Sequence, residues 1–310
     1  MSKENEAMLL KDFNDWSVQK IGLTQLSKTH MENYPDGTPV GGIYHYVLIS
    51  NILEMLEKRN IPYDVREIFA ANNKFKRSPG VTILPEVESR EGIGSPESHI
   101  LRRVFCNINI HGNYTDEARC YNIAVSYTQL GICVGFGPYV YACHNQHICS
   151  AERIVSNYTL RGNERIPTLH RQTDTILKLI DAEISRMDKM YDTDLTQVDA
   201  LKQVPFTSDD TLRFVGMLVA ERCRCSSPNP LIHVNRIAPL TSAQINDFCH
   251  SQLRKEGMVE GSAYDIYQAG TEYLKPKDVP FENICLQSAS FFKLLNDYCN
   301  ERGEERKADQ

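Results

Sequence analysis

The chain has 310 residues, of which 41% are hydrophobic and 24% charged, and its net charge is −6 at neutral pH. This balance is typical of a globular protein with a sizeable core, and it excludes collagen-like and low-complexity chains. No run of about 18 apolar residues occurs, and residues 1–20 lack the apolar core of a secretory signal. We therefore expect a soluble, cytoplasmic protein with no membrane partner.

The first elements in chain order are a helix and a strand. Apolar residues recur at helical spacing from Tyr44 to Lys58, which predicts an amphipathic helix, and a strand is expected within residues 61–73. The stretch from Lys76 to Ser98 is rich in Pro, Gly and Ser and predicts a loop. Residues 1–40 are assigned to a peripheral N-terminal segment.

The region from residue 100 to residue 145 has the strongest strand signals. Apolar residues alternate with other residues at Val104, Cys106, Ile108 and Ile110. This period of two is typical of a half-buried strand. Further strand-like segments follow at residues 118–129 and 130–149, and glycines at 131, 135 and 137 fit turns, a bulge or the close approach of another backbone. Together they predict an antiparallel meander.

The second half of the chain is predicted to be helical. An apolar stripe runs from Ile176 to Tyr191, and Thr207 with Asp210 three residues later approximates a helix-capping pair. Further helices are expected near residues 241–257, 262–275 and 280–299. The fold class is therefore α+β, with a central antiparallel sheet at about residues 63–145 covered by N- and C-terminal helices.

One domain accounts for most of the chain in this interpretation. We assign residues 41–300 to a single α+β domain and residues 301–310 to a flexible tail. A second domain would need a linker, and residues 158–168 are the one candidate.

Cysteine and histidine are concentrated in one part of the chain. Five of the ten cysteines lie between Cys106 and Cys149, and the densest group is Cys143, His144, His147 and Cys149. The spacing does not match the paired ligands of structural zinc sites, and no local context marks a nucleophilic cysteine. We predict no metal, no cofactor and no catalytic residue, although zinc binding at Cys143–Cys149 stays open.

Residues 101–171 contain seven arginines, no lysine and four acids, which gives this segment a local charge of +3. Arginines that follow phosphates beside aromatic rings that stack bases are typical of single-strand binders. The candidate nucleic-acid-binding residues are Arg102, Arg103, Arg119, Arg153, Tyr139 and Tyr141. The alternative is that the arginines pair with acids elsewhere in the chain and that the aromatic rings belong to the core.

Two segments resemble a known family. Residues 261–274, with Tyr264, Tyr267 and Gln268, are similar to its G-T-x-W-x-x-Y-N-A-x-T-E-Y element, with Tyr264 in place of Trp and Gln268 in place of Asn. Residues 131–146, with Cys143 and Asn145, resemble its element ending in a Cys-x-Asn step. The family is the phage/plasmid-like protein family (domain of unknown function 932), and the resemblance extends from about Tyr44 to Tyr298. It implies a mobile-element protein and supplies no catalytic residue.

The leading functional hypothesis is a non-enzymatic phage or mobile-element protein that acts in DNA processing, by binding or annealing single-stranded nucleic acid. The second is a protein-interaction or host-defence-countering protein that binds a host or phage protein through an acidic surface. The third is a cysteine- or zinc-dependent enzyme. The sequence leaves the oligomeric state open.

Overall fold

The fold is described from a computed structural model. The structure describes residues 19–27, 43–71, 103–128, 131–156, 167–225, 237–253, 261–275 and 281–308. The predicted loop from Lys76 to Ser98 lies outside these residues. So does Arg102, one of the candidate nucleic-acid-binding residues.

A seven-stranded antiparallel sheet is the main β structure of the described residues. Its strands are β1 (Gln19–Ile21), β2 (Tyr63–Ala71), β3 (Arg103–Thr115), β4 (Arg119–Thr128), β5 (Gly131–Val140), β6 (Asn145–Gln146) and β7 (Ile154–Ser156). Strands β1 to β6 follow one another in the sheet in chain order, and β7 pairs with β5. At one edge Gln19 lies opposite Ala70, and on β5 and β6 Tyr139 lies opposite Gln146. A second, two-stranded sheet consists of β8 (Pro205–Phe206) and β9 (Gly261–Ser262).

Eight α-helices accompany these strands in the described parts of the chain. They are α1 (Leu23–Leu26), α2 (His45–Glu57), α3 (Pro167–Ser185), α4 (Met187–Ala200), α5 (Ser208–Cys225), α6 (Ser242–Leu253), α7 (Ala263–Thr271) and α8 (Phe281–Ala308). Short 3₁₀ turns follow α4 at Leu201–Gln203 and α7 at Glu272–Leu274. None of the helices in these residues is both long and apolar enough to cross a bilayer.

Local sequence explains where several helices begin. The Thr207 hydroxyl accepts from the Asp210 N–H, and the Asp210 carboxylate accepts from the Thr207 N–H, so the predicted capping pair opens α5. Thr241 and Gln244 repeat the arrangement at α6, with the Thr241 N–H donating to the Gln244 side chain at 2.8 Å. These reciprocal bonds satisfy backbone donors that have no partner inside the helix.

The chain divides into two compact units, each built from three segments. The first comprises Met1–Ile108, Ala124–Val134 and Val155–Ile184, and the second comprises Asn109–Ile123, Gly135–Ile154 and Ser185–Gln310. The single-domain assignment stays a prediction.

Each unit has its own buried core. In the first, α2 buries Leu48, Ile52 and Leu56, and the ring of His45 meets Tyr127 edge-on. In the second, aromatic rings of three helices pack together, with Phe291 of α8 in contact with Phe214 of α5 and Phe248 of α6. These cores account for the helical stripes that the sequence shows.

The α+β class and the antiparallel sheet are confirmed. One local expectation differs from the structure. The single stripe from Ile176 to Tyr191 belongs to two helices, because the chain leaves helical geometry at Arg186. Residues 19–21 form the edge strand β1 and residues 301–308 continue α8. The assignments of a peripheral N-terminal segment and a flexible tail stay predictions.

Candidate functional site

The described residues of the predicted nucleic-acid surface are mostly buried or ion-paired. Arg103 is only 8% exposed, and Tyr139 is 1% exposed. Tyr139 forms a hydrogen bond of 2.9 Å with Nδ1 of His144, and Tyr141 bonds the Thr115 hydroxyl at 2.9 Å. A ring as buried as that of Tyr139 offers no open face on which a base could stack.

Arg119 is held by two carboxylates. It follows the tight turn from β3 to β4, in which Asp116 accepts hydrogen bonds from the Ala118 and Arg119 N–H groups. The guanidinium lies 3.0 Å from the Asp116 carboxylate and 2.8 Å from that of Asp199. Burial opposes ionisation of Asp116, but the two backbone bonds and Arg119 outweigh it and lower the pKa of this carboxyl. Arg119 therefore behaves as a structural cation.

Arg153 belongs to a buried network around Asp194. Its Nε donates to Asp194 at 3.0 Å, and the Tyr121 hydroxyl donates to the same carboxylate at 2.8 Å. Asp194 is 1% exposed, and burial raises its pKa above the usual range although Tyr121 and Arg153 oppose the shift. Burial also raises the pKa of Cys149, whose thiol points at the Asp194 backbone carbonyl. The network is typical of a buried ion pair that fixes a helix against a sheet.

For Arg119 and Arg153, then, the alternative of internal pairing matches the observed contacts. The structure does not gather the predicted residues into one exposed basic surface within the parts of the chain that it describes.

The two segments that carry the family resemblance meet in the second unit. The Asn145 side-chain amide donates to both the backbone and side-chain oxygens of Gln268, at 3.1 and 2.9 Å. The Cys143 thiol donates to the Gln268 side-chain oxygen at 3.2 Å, and the Gln268 amide donates to the Tyr264 hydroxyl. We call this group the Asn145–Gln268 cluster; its members are Cys143, Asn145, His147, Tyr264, Tyr267 and Gln268.

Close packing fixes the cluster from both sides. A Cβ atom at Gly137 would overlap the carbonyl oxygen of His147, and one at Gly270 would overlap the ring of Phe291. The expected close approach of another backbone is therefore found at Gly137. The one signal in the sequence that could have joined Cys143 and Asn145 to Gln268 is that they lie in the two segments that resemble one family.

The cluster is neutral and lacks an activated nucleophile. Burial raises the pKa of the Cys143 thiol, so the thiolate is disfavoured at neutral pH. His147 is fully buried, and burial lowers its pKa to about 3, with the nearby Gln268 side chain opposing the shift. Within the described residues no group of three or more His, Cys, Asp or Glu side chains could hold a metal ion. The cluster can bind by hydrogen bonding and has no group prepared for covalent catalysis.

Helix α4 presents a more open surface. Asp188, Asp192, Leu195 and Asp199 recur at a spacing that places them on one side of the helix, which we call the acidic face. Asp188 and Asp192 are exposed, and Asp188 accepts a hydrogen bond from the Tyr114 hydroxyl. A shallow recess of about 680 Å³ runs along this side and is lined by Asp192, Leu195, Thr196, Asp199, Ala200 and Gln203.

Comparison with family models, with curated protein sequences and with solved structures finds no match to this chain. The resemblance to the phage/plasmid-like protein family therefore stays a prediction.

Proposed function

We propose that the protein acts by binding another protein through the acidic face of α4, and not by catalysis. The observation that carries this proposal is that two of the candidate arginines are paired within the chain, whereas two carboxylates of α4 are exposed. Arg119 and Arg153 face carboxylates of the same chain, whereas the Asp188 and Asp192 carboxylates are exposed to solvent. An exposed carboxylate attracts a cationic partner, while a cation already paired with a carboxylate has little attraction left for phosphate.

The shape of the surface supports a macromolecular partner. The recess on the acidic face is open and combines apolar Leu195 and Ala200 with the exposed carboxylate of Asp192. The Asp199 carboxylate also lines the recess and is paired with Arg119 and Lys202. Protein interfaces combine apolar and charged groups in this way, whereas small-molecule sites enclose most of the ligand surface. Lysine or arginine side chains on a host or phage protein are the complementary chemistry.

Affinity capture with quantitative mass spectrometry tests the proposal. The double variant Asp188→Asn/Asp192→Asn removes two negative charges from the acidic face. The matched control Asp209→Asn/Asp247→Asn removes two exposed negative charges from α5 and α6. We expect one protein to be retained by the wild type and the control, and to be at least about tenfold depleted with the α4 variant, since losing close interfacial charges weakens binding by that order. Equal retention by both variants would contradict the proposal.

Nucleic-acid binding remains the competing hypothesis and needs its own assay. Wild-type protein is titrated with single-stranded DNA and RNA at several salt concentrations, because phosphate contacts make affinity fall steeply with salt. Saturable, salt-dependent binding that survives the α4 substitutions would favour DNA processing over protein binding. Substitutions of Arg119 and Arg153 also remove ion pairs, so their stability must be measured alongside. The mobile-element origin stays a prediction of the resemblance.

A further inference from the structure

The Asn145–Gln268 cluster contains several buried polar atoms that make no hydrogen bond of ordinary geometry with any described part of the chain. They are the side-chain oxygen of Asn145, both ring nitrogens of His147 and the hydroxyl of Tyr267. All three residues are at most 2% exposed. Buried polar atoms almost always have a partner in native proteins, because leaving them unpaired loses the hydrogen bonds that they make with water.

These atoms lie close together. The rings of His147 and Tyr267 are 4.5 Å apart between centroids, and His147 also meets the ring of Tyr264 edge-on at 6.3 Å. Asn145 joins the group because its carboxamide bonds Gln268, one residue after Tyr267 on α7.

The neighbouring polar side chains are already engaged. The Gln268 side-chain oxygen accepts from Cys143 and Asn145, and its amide donates to Tyr264. The Ser288 hydroxyl accepts from the Ile148 N–H at 3.1 Å and donates to the Gln146 carbonyl at 3.3 Å. Gln268 lies near the His147 ring and Ser288 near the Tyr267 hydroxyl. A small polar molecule between these groups would complete the hydrogen bonds of the His147 ring nitrogens and the Tyr267 hydroxyl without breaking the bonds that Gln268 and Ser288 already make.

The chemistry of the cluster restricts that partner. None of its six members is a carboxylate or a permanent cation, and the ammonium group of Lys202 lies over the ring of Tyr264 at 5.0 Å. An ion would therefore be buried without a countercharge inside the cluster, which is costly. The ligand must be neutral, small and able both to donate and to accept hydrogen bonds.

We propose that Asn145, His147 and Tyr267 form a buried binding site for ordered water, which joins the segment from Cys143 to Ile148 to helix α7. Water is small, and it both donates and accepts hydrogen bonds. Internal waters typically make about three hydrogen bonds to buried polar groups of this kind. The site is independent of the acidic face and of the protein-binding function proposed for it.

Tyr267→Phe tests the site because it deletes one hydroxyl and keeps the ring that stacks on Phe291. If the hydroxyl binds water, the variant loses hydrogen bonds and its thermal midpoint falls. If the hydroxyl is unpaired, deleting it removes a desolvation penalty and the midpoint rises. Tyr273→Phe, at a half-buried ring on the following turn, is the matched control. A midpoint that rises or stays unchanged in Tyr267→Phe overturns the proposal.

Water relaxation dispersion supplies a second measurement that is independent of stability. We expect wild-type protein and Tyr273→Phe to show the same contribution from slowly exchanging internal water, and Tyr267→Phe to lose part of it. A crystal structure at about 1.5 Å resolution should show water within hydrogen-bond distance of the Tyr267 hydroxyl and a His147 ring nitrogen. Direct pairing of those atoms with Gln268 or Ser288, and no water between them, would refute the site.

Discussion

Replacing Asp210 with asparagine should destabilise the protein strongly, and more at neutral pH than in acid. Asp210 is 2% exposed, and its carboxylate accepts from the Thr207 N–H and hydroxyl, from the Tyr298 hydroxyl at 2.7 Å and from Arg302 Nε at 2.7 Å. Burial alone would raise its pKa, but these hydrogen bonds outweigh burial and lower it to about 2.

The size of the effect follows from that shift. The pKa falls from 3.8 to about 2 on folding, and at about 1.4 kcal/mol per unit this corresponds to about 2 kcal/mol of stability. A carboxyl whose pKa is lowered by folding stabilises the native state above its unfolded pKa. The contribution is therefore complete above about pH 4 and disappears as the pH falls through about 2.

Urea unfolding followed by circular dichroism, at pH 7 and at several values down to pH 2, measures both consequences. Asp210→Asn should lose about 2 kcal/mol at pH 7, and its stability should decline less than that of the wild type in acid. Asp209→Asn is the control, because the Asp209 side chain is 65% exposed and pairs with Arg213 on the same helix, a contact worth about 0.5 kcal/mol. The reasoning is wrong if the two variants lose equal stability at pH 7, or if Asp210→Asn keeps the wild-type acid dependence.

Three further predictions concern buried groups. Asp194→Asn should lower the free energy of unfolding, measured with a denaturant, by about 3–5 kcal/mol, because Arg153, whose side chain is 17% exposed, loses its countercharge. Gly137→Ala should reduce the yield of folded protein, because its Cβ would overlap a neighbouring backbone carbonyl. Gly216→Ala, on the open side of α5, should raise the free energy of unfolding by about 0.5–1 kcal/mol. Equal changes in the two variants would contradict this prediction. Burial lowers the pKa of His45 to about 4, so the neutral ring stabilises the folded state fully above about pH 6.5. The wild-type free energy of unfolding should therefore decrease as the pH falls from about 6.5 to about 4, and it should decrease less in His45→Phe.

Periodic patterns predict most of the fold because they reflect local chemistry. The pair Thr207 and Asp210 lies within one helical turn, so the start of α5 can be read from the sequence. The alternation around Ile108 likewise identifies the strand β3. The expectation of a half-buried strand is wrong for residues 103–110, all of which are buried, because other parts of the protein cover both faces of this stretch. The break at Arg186 could not be predicted, because the apolar stripe continues on both sides of it.

The site is less predictable because its contacts join distant parts of the chain. Arg153 lies 41 residues before Asp194, and no local pattern distinguishes a guanidinium that will pair internally from one that will face solvent. The same holds for Tyr139, whose strand position fixes the side to which its ring points but not whether another element covers it. His147 belongs to the dense group of Cys and His residues, but its neutral state depends on rings from a helix more than a hundred residues later.

The bond between Arg302 and Asp210 also constrains the order in which the chain can become stable during synthesis. The two residues are 92 positions apart, and Tyr298, the other distant donor, is 88 positions from Asp210. When α5 leaves the ribosome, the Asp210 carboxylate still lacks Tyr298 and Arg302, so the first turn of the helix is exposed to water. Contacts between such distant residues close slowly. The second unit therefore gains its final stability late, when α8 emerges and closes over the start of a helix made long before.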